Sequence, residues 1–135
     1  MENLLENDIT GTIGAQKYLC TISWRKGTFL MDEPTNIEGQ DLGPDPYTAL
    51  LSSLAACTLS TLRMYIDRKG WDIPEINIAL NMSQENDAEL TTTISRVISF
   101  PSTIEEDIRN RLLIIAEKCP VSKILKNNII IKTTI

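Results

Sequence analysis

Two hydrophobic rhythms alternate along the chain, and their changeovers divide it into elements. Tyr18-Leu19-Cys20-Thr21-Ile22-Ser23-Trp24 is rich in β-formers, and Gly27 marks a turn before Thr28-Phe29-Leu30-Met31. The pair predicts a hairpin within a first portion of short strands that extends to Gly43. Asp32 to Gly43, punctuated by Pro34, Asn36, Gly39 and Gly43, reads as a loop. At Asp45-Pro46 a helix should begin, because aspartate caps free amides and proline at the first helical position loses no needed donor. That helix should run from about Pro46 to Lys69 and stop at Gly70. Its first four turns are apolar or small on every side, which predicts a helix enclosed by protein.

Period-two alternation returns in Ile76 to Met82, a half-buried strand, with Leu90 to Phe100 as its partner and Ser83 to Glu89 as the connection. A second helix should open at Ser102-Thr103, where Glu105 and Glu106 offer alternative capping boxes. Ile108, Leu112, Ile115 and Ala116 keep helical spacing to an end near Cys119-Pro120, where proline breaks or restarts the helix. Ile129 to Ile135 reads as a closing β-rich tail. The order of strands, helix, strands, helix and strand predicts one α+β domain over residues 1–135, with no repeat or linker dividing it.

Composition narrows the chemistry. Thirteen Lys and Arg against 18 Asp and Glu give a net charge of −5, which disfavours nucleic acid and anionic membrane surfaces as partners. The longest uncharged stretch, Pro46 to Leu62, is 17 residues with several Ser and Thr, short of the roughly 20 apolar residues of a membrane span. It reads as a buried helix. Met1 to Thr10 carries acids and no base, unlike an export signal, so the cytosol is the expected compartment. There Cys20, Cys57 and Cys119 would be kept reduced, and any disulfide would be transient. No histidine is present, which excludes Ser-His-Asp and Cys-His catalysis as usually built. Three widely spaced cysteines without a CxxC predict neither metal nor cofactor.

By residue type alone, Cys57 in its apolar helix and Cys20 on its strand read as core packing. Cys119 stands in Lys118-Cys119-Pro120-Val121-Ser122-Lys123, where two lysines close in sequence favour a thiolate.

Gly43-Pro44-Asp45-Pro46-Tyr47 leading into Leu54-Ala55-Ala56-Cys57-Thr58 resembles the signature of the OsmC/Ohr family of thiol peroxidases. Cys119-Pro120-Val121-Ser122 with Lys123-Ile124-Leu125 is similar to that family's second cysteine motif. Thr61 to Tyr65, Arg68 to Trp71 and Asp32-Glu33-Pro34 further resemble one OsmC-like subgroup. The resemblance covers about residues 20 to 135. It implies an intertwined homodimer, with long central helices wrapped by antiparallel sheets and part of the Pro46 helix covered by the partner chain. It also implies a hydroperoxide reductase in oxidative stress defence, with Cys57 as the peroxidatic and Cys119 as the resolving cysteine, recycled by an external dithiol.

In two places the chain departs from the family. Tyr47 and Thr48 stand where a glutamate follows the helix-opening proline, and no arginine lies in the loop ahead of the helix. Arg25, Arg63 and Arg96 are the cations left to activate Cys57. These departures motivate an alternative, a non-catalytic OsmC-like dimer that binds a small apolar ligand or senses oxidants stoichiometrically. A third reading is a structural dimer with inert core cysteines.

Overall fold

The computed structural model describes all 135 residues, which fall into two compact units, Met1–Leu50 and Leu51–Ile135. In the first unit, β1 (Thr10–Ile13), β2 (Cys20–Trp24) and β3 (Gly27–Met31) form an antiparallel sheet in the order β1-β2-β3. Cys20 pairs with both Ile13 and Met31, and Trp24 with Gly27, so Arg25 and Lys26 make the hairpin turn. The Asp32–Gly43 loop holds a short 3-10 turn, Thr35–Ile37. Asp32 organises this loop from a buried position. Its carboxylate accepts from the backbone N–H groups of Glu33 (2.8 Å), Gln40 (3.3 Å) and Leu42 (3.3 Å). Backbones meet closely here: a Cβ on Gly39 would lie 1.8 Å from the Glu33 carbonyl oxygen.

Helix α1 (Pro46–Lys69) begins as expected. Asp45 Oδ2 accepts from the N–H groups of Tyr47 (3.1 Å) and Thr48 (3.3 Å), and the Thr48 hydroxyl donates to Asp45 Oδ1. The helix ends in a Schellman-type closure. Gly70 takes φ +69°, and the N–H groups of Gly70 and Trp71 reach back to the carbonyls of Asp67 and Ile66.

The second unit contains most of α1, the strands β4 (Asn77–Asn86) and β5 (Leu90–Ser99), and the helices α2 (Glu106–Ala116) and α3 (Pro120–Lys126). β4 and β5 pair antiparallel from Asn77↔Ser99 to Asn86↔Leu90. The expected connection, Ser83 to Glu89, is therefore shorter, because β4 continues as far as Asn86. Leu62 and Ile66 of α1, Ile73, and Leu112, Ile115 and Ala116 of α2 form the core, with Ile98, Phe100, Ile104 and Ile108 packed against it.

Within the single chain a stripe of α1, Leu54, Thr58, Leu62 and Ile66, is buried. That i, i+4 row is what one flank of neighbouring elements can cover. Although α1 is long and apolar enough to cross a membrane, the row is built into a protein core. α2 starts at Glu106 instead of Ser102-Thr103. Glu105 keeps an extended ψ of 143° and makes no side-chain cap, and the non-helical link from Phe100 lets both Phe100 and Ile104 reach the core. Ile129 to Ile135 forms no strand, because no sheet edge pairs with it.

Candidate active site

Two helical segments bring the cysteines of the second unit together. Cys57 lies inside α1, one residue before buried Thr58, and Cys119 is the residue that leads into α3 at Pro120. Pro120 fits the first helical position for the same reason as Pro46. The two thiols are free and near enough that each shifts the other's ionisation. The Val121 N–H of α3 also donates to Cys57 Sγ at 3.5 Å. Cys119 is fully buried, whereas Cys57 keeps partial access to solvent. Cys20 sits in the first unit and is also free.

The pair shares protons unequally. Burial and the hydrogen bond with Cys119 push the Cys57 thiol up, against the opposing Val121 N–H and the Thr61 hydroxyl. Burial also opposes ionisation of Cys119, but there it is outweighed by the Cys57 thiol, the Ser122 N–H and the hydroxyls of Ser122 and Thr58. Together they bring Cys119 down from 9.0 to about 7. The principal causes are hydrogen bonds to the charged form, not the neighbouring lysines that the sequence suggested. Cys119 makes no capping hydrogen bond of regular geometry to α3.

The three candidate cations are placed differently. Arg25 lies over the Trp24 ring in the β2–β3 turn, its guanidinium carbon 5.1 Å from the ring centroid. Arg63 ties the end of α1 to the following segment, bonding Asp67 (3.0 Å) and the carbonyls of Ile73 (2.7 Å) and Pro74 (3.3 Å). Arg96 of β5 is directed at the dithiol surroundings. Its Nη1 donates to Thr58 Oγ1 and to Ser122 Oγ, both at 2.8 Å, and its Nη2 lies 3.4 Å from Glu117 Oε1. Glu117 also pairs with Lys126, and these cations hold its carboxyl below the usual range against the opposing effect of burial.

Two functional neighbours were missed as such by sequence reasoning: Glu117, and the hydroxyl pair Thr58–Ser122. Ser122 and Thr58 stood inside the quoted motifs, directly beside the cysteines, but nothing local marks them as partners of a strand arginine. No metal-binding group of His, Cys, Asp or Glu side chains is present. A cavity of about 330 Å³ lies between α1, β5 and α3, lined by Leu54, Ile94, Arg96, Ser122 and Leu125 among others. Neither sulfur lines it.

A half-open pair of free thiols at a helix junction, on an α+β scaffold of paired strands and a long apolar helix, marks a thiol-bearing protein. Residues 39–134 match the family described as OsmC-like protein, and the chain belongs to that family. Its fold is similar to solved OsmC and Ohr structures. A candidate osmotic stress induced and detoxification response protein of Psychrobacter arcticus matches with TM-score 0.74 and 17% identity, over 91% of this chain and 90% of that one. An OsmC-like protein of Mycoplasma pneumoniae matches with TM-score 0.69 and 22% identity, over 92% and 89%. The organic hydroperoxide resistance protein OhrB of Bacillus subtilis matches with TM-score 0.67 and 19% identity, over 93% and 94%. No curated protein matches the sequence significantly.

Proposed function

We propose that the protein is a hydroperoxide reductase that uses Cys57 and Cys119 as a two-cysteine redox pair in peroxide resistance, working as a cytoplasmic homodimer. The observation that carries this reading is the approach of two free thiols from distant parts of the chain, with the Val121 N–H, two residues past Cys119, donating to Cys57 Sγ at 3.5 Å. Family membership and the fold shared with an organic hydroperoxide resistance protein support it.

The unequal sharing of protons supports an order of steps. With one proton lost, the anion rests mainly on buried Cys119, and proton exchange between the two sulfurs presents a fraction of Cys57 as thiolate. Cys57 is the sulfur with access to solvent. Its thiolate attacks the terminal oxygen of ROOH, the O–O bond breaks, and Cys57 becomes a sulfenic acid. The departing alkoxide takes the proton now on Cys119, leaving ROH and a Cys119 thiolate. That thiolate attacks the Cys57 sulfur, the S–O bond breaks, and the released hydroxide becomes water with a proton from solvent. The products are ROH, water and a disulfide, safe from further oxidation. An external dithiol then restores the two thiols. No metal or other cofactor enters the cycle.

The test mixes reduced protein with cumene hydroperoxide or hydrogen peroxide while thiol loss is followed. Two thiols should disappear per peroxide, and Cys119→Ser should stop at a sulfenic acid on Cys57. Cys57→Ser should consume peroxide no faster than thiol-free buffer; consumption at the parent rate would refute the assignment. The cavity beside Arg96 favours a second reading, a ligand-binding or stoichiometric sensor protein. That reading predicts a single slow oxidation per site and no turnover with any dithiol.

A further inference from the structure

Arg96 is nearly buried on β5, and its guanidinium bonds lead to residues that flank the two cysteines. Thr58 follows Cys57, while Glu117 and Ser122 lie on either side of Cys119. Thr58 and Ser122 are buried, so their hydroxyls are shielded from competing water. A guanidinium only donates. Both hydroxyls must therefore accept from Arg96, which leaves each a single proton to give elsewhere. Thr58 directs its proton mainly to the Leu54 carbonyl at 2.7 Å, as a helical threonine commonly does, which leaves its hold on Cys119 the smaller of the two. Ser122 remains, in the first turn of α3 three residues past Cys119, where its N–H and hydroxyl favour the Cys119 anion.

We propose that Arg96, steadied by Glu117, is a positioning residue that orients the Ser122 hydroxyl beside Cys119, the sulfur released when the Cys57–Cys119 disulfide is reduced. It rests on the redox reading only in requiring that disulfide, not in the identity of the oxidant that forms it. A strand arginine acting through a hydroxyl places a cation beside the pair, where the loop arginine is missing. The titratable and charged groups around Cys119 are Cys57 on α1, Arg96 on β5 and Glu117 after α2, the last also paired with Lys126 on α3.

The recycling step then has a direction. A dithiol reductant, as its thiolate, attacks the more accessible Cys57 sulfur. The S–S bond breaks, its electron pair leaves on Cys119, and a mixed disulfide joins the reductant to Cys57. The reductant's second thiol, giving its proton to solvent, attacks its own bound sulfur and expels Cys57, which is protonated. The reductant loses two electrons and becomes a disulfide. The better the leaving thiolate is stabilised, the faster the first step runs.

Two measurements test this. A titration of 13Cβ-labelled cysteine by NMR reads the Cys119 midpoint in the reduced protein. Stopped-flow reduction by dithiothreitol reads the leaving step in protein oxidised with diamide, without any peroxide. Arg96→Met should raise the midpoint by about one pH unit or more and slow reduction several-fold at neutral pH. Arg96→Lys should restore part of both, and Ser122→Ala should reproduce the loss more fully than Thr58→Val. A natively folded Arg96→Met protein with the parent midpoint would overturn the inference. If that variant does not fold, Ser122→Ala, which keeps the Arg96–Glu117 pair, decides by the same criterion. Should diamide form no Cys57–Cys119 disulfide, the redox reading fails, and the release step of the inference fails with it. A parent that recycles as described yet ignores peroxides sinks only the peroxidase reading.

Discussion

A thiol pair that shares its protons leaves a trace in the stability of the reduced protein. Cys119 is brought down to about 7 in the fold from an ordinary value of 9.0. A depressed acid contributes stability that is present above its unfolded value and is lost as pH falls through the folded one. Between about pH 7 and pH 9 the unfolded chain therefore binds more protons, and the reduced protein should become more stable as pH rises. Cys57, pushed up, opposes further gain at more alkaline pH. Urea unfolding of the parent and of Cys119→Ser across this window should show a stability gap that widens with pH, on the order of 1 kcal/mol. A gap that stays constant would mean that Cys119 titrates normally. At this scale the sequence disclosed the cysteines but not their surroundings. Cys57 and Cys119 were legible because each sits in a motif of contiguous residues. Arg96 was legible only as one of three cations, since its contacts to Thr58 and Ser122 cross between elements far apart in sequence. Asp32 was quoted as part of a motif, yet its work of binding three loop amides depends on how the loop folds back on it.

Helix α1 was the most legible element because both of its ends are written in local chemistry. Asp45 caps one end, and Gly70 closes the other in a left-handed conformation. A Cβ on Gly70 would meet no atom within 4 Å, so Gly70→Ala tests backbone strain and little else. It should destabilise the protein by about 1 kcal/mol. Chemical denaturation checks this, and an unchanged midpoint would place the helix stop elsewhere, in the Trp71 and Ile73 packing. α2 was less legible: its Ser-Thr and Glu-Glu signals fit a capping box, but tertiary contacts at Phe100 and Ile104 set the path into the helix. Strand pairing was read correctly for β4 and β5 because alternation is a local signal. Its extent was not, since polar Ser83 to Asn86 join the ladder through backbone bonds that need no apolar side chain.

At the scale of the molecule, pattern and burial disagree in two segments, a disagreement that the proposed homodimer would resolve. The apolar turns of α1 predict enclosure, yet Tyr47, Leu50 and Met64 are exposed in the single chain. The isoleucine-rich tail reads as a strand, yet Ile130 and Ile131 are 75% and 85% exposed and unpaired. Exposed apolar residues in segments patterned for burial are what the proposed homodimer would cover, and a sheet edge on another chain would give the tail the partner it lacks. A sequence records that a segment is made to be buried; whether its own chain buries it is a property of the assembly. The two sulfurs meet within one chain, so their contact should survive in a monomer, whereas the apolar shelter around the partly open Cys57 should not. Ile131→Asp should therefore shift the protein from twice the chain mass toward the monomer in sedimentation velocity at micromolar concentration. Diamide should still join Cys57 to Cys119 in that variant, while consumption of the bulky cumene hydroperoxide falls more than that of hydrogen peroxide. An Ile131→Asp protein that stays dimeric would remove the tail from the interface. A parent that sediments as a monomer would remove the interface altogether.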